Sequence, residues 1–239
     1  MQYPISAGAM LYAVFLRGHN GIYGVKNVLA GLKKEAVPAF FREMELELIE
    51  SGLAVMDFDG GFSLNPDFAE LVDACACCSN VLAVPSRRNG KETMLTCYLG
   101  ENGIRALETV GAEEYLLHTS VDPAQMIPAF LGLPEGEGNL EQASVDSALI
   151  QRRDVKGLME AGCSEALAML AVNAAKGIDG YAQIFRIADS AGTDLVTLLY
   201  NDAGTVSVDV EYPWGQELFR LTPVTVPWVT DRIRALLEA

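Results

Sequence analysis

Apolar positions recur at helical spacing from the start of the chain. Ala7, Met10, Leu11, Val14 and Phe15 form one face, Ser6 stands in an N-cap position, and Gly18 and Asn20-Gly21 end the run. Val25, Val28, Leu29 and Leu32 predict a second short helix, stopped by Gly31 and the lysines after it. Pro38 suits the first turn of a third, with Phe40, Phe41, Met44, Leu48 and Ile49 inward and Gly52 closing it. Leu53 to Met56 and Phe62 to Leu64 flank Asp57-Phe58-Asp59-Gly60-Gly61, the pattern of a short hairpin with a Gly-rich turn. Asn65-Pro66 opens a fourth helix with Phe68, Leu71, Val72, Cys75 and Cys78 on one side.

After Asn80 the period changes from helical to alternating. Val81 to Val84 leads through Arg87-Arg88 into Asn89-Gly90, a tight-hairpin pair. Thr93 to Leu99, Ile104 to Val110 and Tyr115 to Thr119 read as three more strands, the first two joined by Gly100-Glu101-Asn102-Gly103. Ser120 is placed to cap a helix through Met126, Ile127, Phe130 and Leu131, which Gly132 ends. Pro134-Glu135-Gly136-Glu137-Gly138 is a short polar linker full of breakers.

The order then repeats. Helices are predicted around Leu140 to Arg152, Asp154 to Ala161 and Ser164 to Lys176, with Gly177 stopping the last. Strands follow at Tyr181 to Ala188, Asp194 to Tyr200, Thr205 to Glu211 and Glu217 to Leu221, and a helix capped by Thr225 closes the chain over Val226 to Glu238. The turn at Leu99 to Gly103 matches that at Tyr200 to Gly204, and Tyr115 to Thr119 matches Leu218 to Thr222. The helix with Ile127, Phe130 and Leu131 matches the one with Ile233, Leu236 and Leu237. Residues 1–138 and 139–239 therefore read as two copies of one plan within one composite domain. A meander with one apolar face must cover that face with helices, and joining two meanders edge to edge hides two edge strands. The expected fold is α+β and pseudo-two-fold. It has an antiparallel sheet built from two four-stranded meanders, each half flanked by a helical bundle.

Two stretches carry a resemblance. One runs from Val81-Leu82-Ala83-Val84 through Met94 to Leu99 and the Gly100 turn to the helix ending Phe130-Leu131-Gly132-Leu133-Pro134. The other is the meander and terminal helix of Leu195 to Leu237. Together they resemble the EspG family, accessory proteins of ESX-type (type VII) secretion systems. That resemblance implies a pseudo-two-fold sheet between two helical bundles. It also implies a cytosolic chaperone or adaptor that holds helical secretion substrates soluble and targets them. The turns at Arg87 to Gly90 and Gly100 to Gly103 are short, so no family binding residue transfers to a position here.

Charge narrows the partners. The chain of 239 residues carries a formal net charge of −15, and half its residues are apolar. Residues 1–138 hold 9 Lys and Arg against 18 Asp and Glu, and residues 139–239 hold 8 against 14. Both halves repel nucleic acid and anionic membrane surfaces, whose binding draws on clustered cations. No apolar run approaches the roughly 18 residues of a membrane span. No basic segment precedes the first apolar stretch, so a secretory signal is not expected. Five cysteines, three of them in Cys75-Ala76-Cys77-Cys78, do not form a spaced disulfide framework. Reduced thiols in a cytoplasmic protein are the expectation.

No catalytic, cofactor or metal site is assigned. Structural zinc favours two separated ligand pairs, whereas Cys97, Cys163, His19 and His118 are scattered, and Cys75 and Cys78 read as small buried hydrophobes. A cysteine nucleophile needs a nearby histidine, yet His118 lies mid-strand and His19 in a helix-ending loop. Glu43, Glu45, Glu47 and Glu50 read as a solvated helix face. Gly18 to Gly24 follows a helix, so it lacks the strand context of a dinucleotide fingerprint.

Residues 7–64 also resemble a winged helix, the alternative being a transcriptional regulator or a general protein-interaction module. Its third helix would set those four glutamates and one Arg42 against phosphate, and Lys26, Lys33 and Lys34 are too few to compensate. A protein partner fits better. The aromatics Tyr212 and Trp214 in Tyr212-Pro213-Trp214-Gly215, with Phe58 in the acidic hairpin turn, are the candidate binding residues.

Overall fold

The computed structural model describes residues 1–136, 141–176, 180–188, 195–201, 204–211 and 217–238. Ten strands form one sheet, with β1 (Gln2–Ser6), β4 (Val81–Arg88), β5 (Lys91–Gly100), β6 (Gly103–Thr109) and β7 (Glu114–His118) from the first half. The second half supplies β8 (Ala143–Asp146), β9 (Gly180–Ile187), β10 (Leu195–Asn201), β11 (Gly204–Glu211) and β12 (Leu218–Pro223). The strand order is β1-β7-β6-β5-β4-β9-β10-β11-β12-β8. A separate hairpin pairs β2 (Ala54–Met56) with β3 (Phe62–Leu64). The α+β expectation holds, and each half has the same plan: an opening strand, helices, a four-stranded meander and a helix. The matched turns close alike, Gly100 opposite Gly103 and Asn201 opposite Gly204.

The chain forms two compact units that interleave the halves. The first comprises Met1–Leu82 and Met94–Val121 with a short stretch from Ile187. At its centre is α1 (Ala7–Leu16), buried from Ala7 to Val14 and therefore apolar nearly all round. Ser6 caps it, its hydroxyl accepting from Ala9 N at 3.1 Å. Beside it run α2 (Val37–Glu50) and α3 (Pro66–Ala76), the latter capped by Asn65 with Pro66 at its first position. Met10, Leu48, Phe68, Val72, Tyr98, Leu107 and Leu117 close the core. Each fully buried side chain of this size contributes about 2 kcal/mol.

The second unit comprises Ala83–Thr93, Asp122–Arg186, the strands after β9, and α8 (Val226–Glu238). Here α5 (Ser147–Gln151), α6 (Val155–Glu160) and α7 (Glu165–Lys176) cover the sheet through Leu158, Leu167, Val172, Val206 and Leu221. The α4 helix (Pro123–Leu131) packs on α8, and Thr230 Oγ1 donates to Ala124 O at 3.1 Å. The Asn89-Gly90 turn takes left-handed φ values of 52° and 75°, as a tight primed hairpin turn requires.

Several expectations are corrected. The second helix is a pair of 3-10 turns, Val28–Gly31 and Lys34–Ala36. The Asn27 side chain accepts from Leu29 N and caps a single tight turn there. Each half has five strands in the sheet, not four. The stretch read as a helix from Leu140 holds β8, which pairs with β12, before the short α5 that Asp146 caps. Pairing here overrides local helix propensity. Asp122, not Ser120, caps α4. Thr225 stands at the start of α8, its carbonyl accepting from Val229 N at 3.1 Å, but its buried hydroxyl has no hydrogen-bond partner among the described residues, so the side chain supplies no cap. Gly177, Tyr212 and Trp214 lie outside the described residues, as do the last two residues of the linker.

Gly180 of β9 faces the backbone of β4. A Cβ there would stand 2.9 Å from Arg88 Cα and closer still to the Arg87 carbonyl oxygen. Backbone cannot yield as a flexible side chain does. Gly180→Ala is expected to destabilise by about 3 kcal/mol, lowering Tm by roughly 6–12 °C. Gly21→Ala, at a glycine with nothing within 4 Å, should stay within about 0.5 kcal/mol. Thermal unfolding of both variants beside the parent checks this, and equal Tm values would refute the close approach.

Candidate functional site

The β2–β3 hairpin follows α2 directly. Leu53 N donates to Leu48 O at 2.8 Å, and Asn65 N to Leu53 O at 2.8 Å, which pins the base of the hairpin. Phe62 and Leu64 pack on the core from one face, while Val55 and Met56 are more than half exposed. Phe58 at the tip is fully exposed, with a relative accessibility of 112%. An apolar ring held in water gains nothing for its own fold. Asp57 and Asp59 flank it, and Asp57 N closes the turn on Gly61 O at 2.8 Å.

The four glutamates of α2 do not form one solvated face. The Ser6 backbone N and hydroxyl donate to the two carboxylate oxygens of Glu47, at 3.0 and 2.8 Å. Tyr12 donates to Glu45 at 2.5 Å. Burial, then the bond to Glu45, pushes the Tyr12 phenol up to about 12. Only Glu43 and Glu50 are exposed. The structure thus corrects the reading of this acidic run, because two of its carboxylates tie α2 to α1.

A second cluster gathers residues far apart in sequence. Past the end of α1, Arg17 Nε and Nη2 donate to Asp73 of α3, the shortest bond at 2.5 Å. His19 Nε2 lies 2.8 Å from Asp73 Oδ1. The Arg17 guanidinium, aided by His19 and opposed by burial, holds the Asp73 carboxyl below the usual carboxylate range. Cys77, at the C-cap of α3, brings Sγ to 3.9 Å from His19 Nδ1 and 4.0 Å from Nε2. The loop that carries His19 is anchored from the sheet. Tyr98 donates to Tyr23 O at 2.6 Å, and Lys26 N donates to the Tyr115 hydroxyl at 3.0 Å. Burial raises the Tyr98 phenol well above its ordinary value, so it remains a donor.

Cys75 is buried as expected, but Cys78 falls beyond the helix and is half-buried, and Cys77 is exposed. Among the described residues no group of three or more His, Cys, Asp and Glu side chains is placed to hold a metal ion. His118 is engaged elsewhere, with Nε2 3.2 Å from Glu108 Oε2 and Nδ1 3.3 Å from Gln2 Nε2. Sequence reasoning missed the His19–Cys77 approach because the partners are 58 residues apart and belong to no spaced motif.

No family model matches the chain, and no curated protein matches it in sequence. Among solved structures it is similar to the Mycobacterium tuberculosis type VII secretion system chaperone EspG5, determined in complex with a PE25-PPE41 dimer. The TM-score is 0.66 at 12% identity, over 100% of this chain and 96% of that chain. At that identity the likeness establishes the fold. No described helix is long and apolar enough to cross a membrane.

Asp73 generates a pH prediction. Its folded pKa is depressed, so its contribution is present above the unfolded value near 3.8 and fades as pH falls through the lower folded value. The pair is partly exposed, which limits the gain to about 1 kcal/mol or less. Asp73→Asn should lose that amount at pH 7 and converge with the parent in acid. Urea unfolding at pH 7, 4 and 3 checks this, and a stability gap that widens in acid contradicts it.

Proposed function

We propose that this chain is a non-enzymatic chaperone or adaptor that holds a helical protein partner soluble in the cytoplasm, in the manner of type VII secretion chaperones. The observation that carries the reading is the fold shared, end to end, with a chaperone whose structure includes a bound protein dimer. Three further features support it. Phe58 is an exposed aromatic on a pinned hairpin, the kind of side chain that anchors interfaces. The net charge of −15 disfavours nucleic acid and favours partners with basic rims. The outer face of α2 offers Glu43 and Glu50 beside Arg42, a poor surface for phosphate. We assign Phe58, together with Tyr212 and Trp214, to the partner contact.

The test is co-purification from native lysate with mass spectrometry, followed by titration of the recovered partner. A helical protein should be recovered at one-to-one stoichiometry. Phe58→Ala and Trp214→Ala should each weaken it by roughly 30-fold, the effect of a hot spot of about 2 kcal/mol, with Tm unchanged. Full affinity in both variants removes these residues from the interface, and recovery of the chain alone at every salt concentration removes the chaperone reading.

A further inference from the structure

Exposed apolar side chains are concentrated in one short stretch of the chain. Among the described residues, leaving aside the terminal Met1, the four most exposed large apolar side chains are Phe58, then Leu46, Met56 and Val55 at 52–58%. All four lie between the last two turns of α2 and the tip of the hairpin. Only Ser51 to Leu53 separate α2 from β2, and the bonds at the hairpin base hold the two elements together. On α2, Glu43, Leu46 and Glu50 follow one another at three and four residues, on the side away from the buried Leu48. On the hairpin, Ala54, Phe62 and Leu64 share the face turned to the core, which puts Val55 on the opposite face. The charges around these side chains are nearly all of one sign. Glu43, Glu50, Asp57 and Asp59 are exposed, and Arg42 is the one cation from residue 42 to residue 65. No ion pair among the described residues engages any of these four carboxylates.

We propose that the outward face of α2 and the β2–β3 hairpin form one docking surface, and that its occupant is an amphipathic helix of the partner whose apolar stripe is bordered by Lys and Arg. The proposal rests on the chaperone reading and specifies the chemistry of the segment that is held. An apolar patch with a polar rim is the usual form of such a surface. Here Leu46, Val55, Met56 and Phe58 supply the apolar contact, and the four carboxylates face the cations at its border. A helix fits better than an extended peptide. Strand addition draws its affinity from main-chain bonds along a sheet edge, and β2 and β3 have three residues each. A helix arrives with its backbone bonds already made and offers side chains alone. A second copy of this chain is disfavoured, because it would set the same carboxylates against one another. Nucleic acid and anionic membranes meet the same repulsion.

The test titrates the full chain into a fluorescent Leu–Lys amphipathic helical peptide of about 18 residues, with a Leu–Glu peptide of the same length beside it. Anisotropy should show binding of the Leu–Lys peptide and at least about tenfold weaker binding of the other. Affinity should fall roughly tenfold as NaCl rises from about 50 to about 500 mM. Phe58→Ala and Leu46→Ser should each weaken binding roughly tenfold. Reversing Asp57 and Asp59 together to Lys should weaken it by a similar factor and flatten the salt dependence. The same reversal at Glu92 and Glu101, exposed carboxylates on β5 and the turn after it, should leave affinity within about twofold. Equal losses in the two charge-reversed pairs would mean unspecific attraction to an acidic chain and overturn the proposal. Absence of binding, or full affinity in both Phe58→Ala and Leu46→Ser, overturns it too. The titration does not draw on the native partner, so its failure removes this surface alone, whereas recovery of the chain without a partner from lysate removes the chaperone reading.

Discussion

The sheet depends on a glycine. Strands β4 and β9 are neighbours in it, and at Gly180 the backbone of β4 comes so near that only hydrogen fits. The cross-strand partner of Gly180 is Tyr200 on β10, a buried residue whose ring has the Arg88 guanidinium 5.4 Å from its centroid. Arg87 and Arg88 therefore meet the Gly180–Tyr200 pair with a carbonyl and a cation. A glycine without a side chain gives little of its own to a strand, and an aromatic neighbour is a known way to restore packing there. The β4–β5 hairpin inherits its direction from this contact, since Asn89-Gly90 turns the chain one residue beyond Arg88.

The acidic composition has internal uses as well as a solubilising one. Glu47 holds both polar groups of Ser6, and Ser6 in turn caps α1. A capping box normally draws its carboxylate from the same helix. Here it comes from α2, so a local signal becomes a tertiary contact. Glu45 on Tyr12 and Asp73 on Arg17 and His19 tie other elements of the same unit in the same way. Such charge-assisted bonds are stronger than neutral ones and specify which groups meet.

Much of this was legible in the sequence, for identifiable reasons. The α1, α2, α3, α7 and α8 helices carry apolar stripes or end signals, and the meander turns carry Asn-Gly or Gly at positions that need positive φ. The doubled order of elements also predicted the α+β sheet. The opening strands were hidden. Gln2–Ser6 contains a proline and Ala143–Asp146 has four residues, so neither alternates long enough to register. They exist because β7 and β12 offer them partners. The site was less legible than the fold. Phe58 was visible as an aromatic in a polar turn. The meeting of His19, Asp73 and Cys77 follows only from how the loop after α1 is pinned by Tyr98 and Tyr115.

The hairpin and the thiol cluster are joined by one helix. Leu64 ends β3, Asn65 caps α3, and Cys77 is the C-cap at its far end. The 11 residues of α3 span about 16 Å at 1.5 Å per residue. Cys77 therefore lies at the end of α3 opposite to the one the hairpin joins. The hydrogen bonds that fix the hairpin, Leu53 to Leu48 and Asn65 to Leu53, involve neither His19 nor Asp73. Coupling between two sites needs an element with two arrangements that both sites bias, and α3 is a short helix capped by a side chain at its start and buried through Phe68, Leu71, Val72 and Cys75. The exposed Phe58 turn and the Arg17–His19–Asp73 cluster therefore lie toward opposite ends of α3 and share no hydrogen bond.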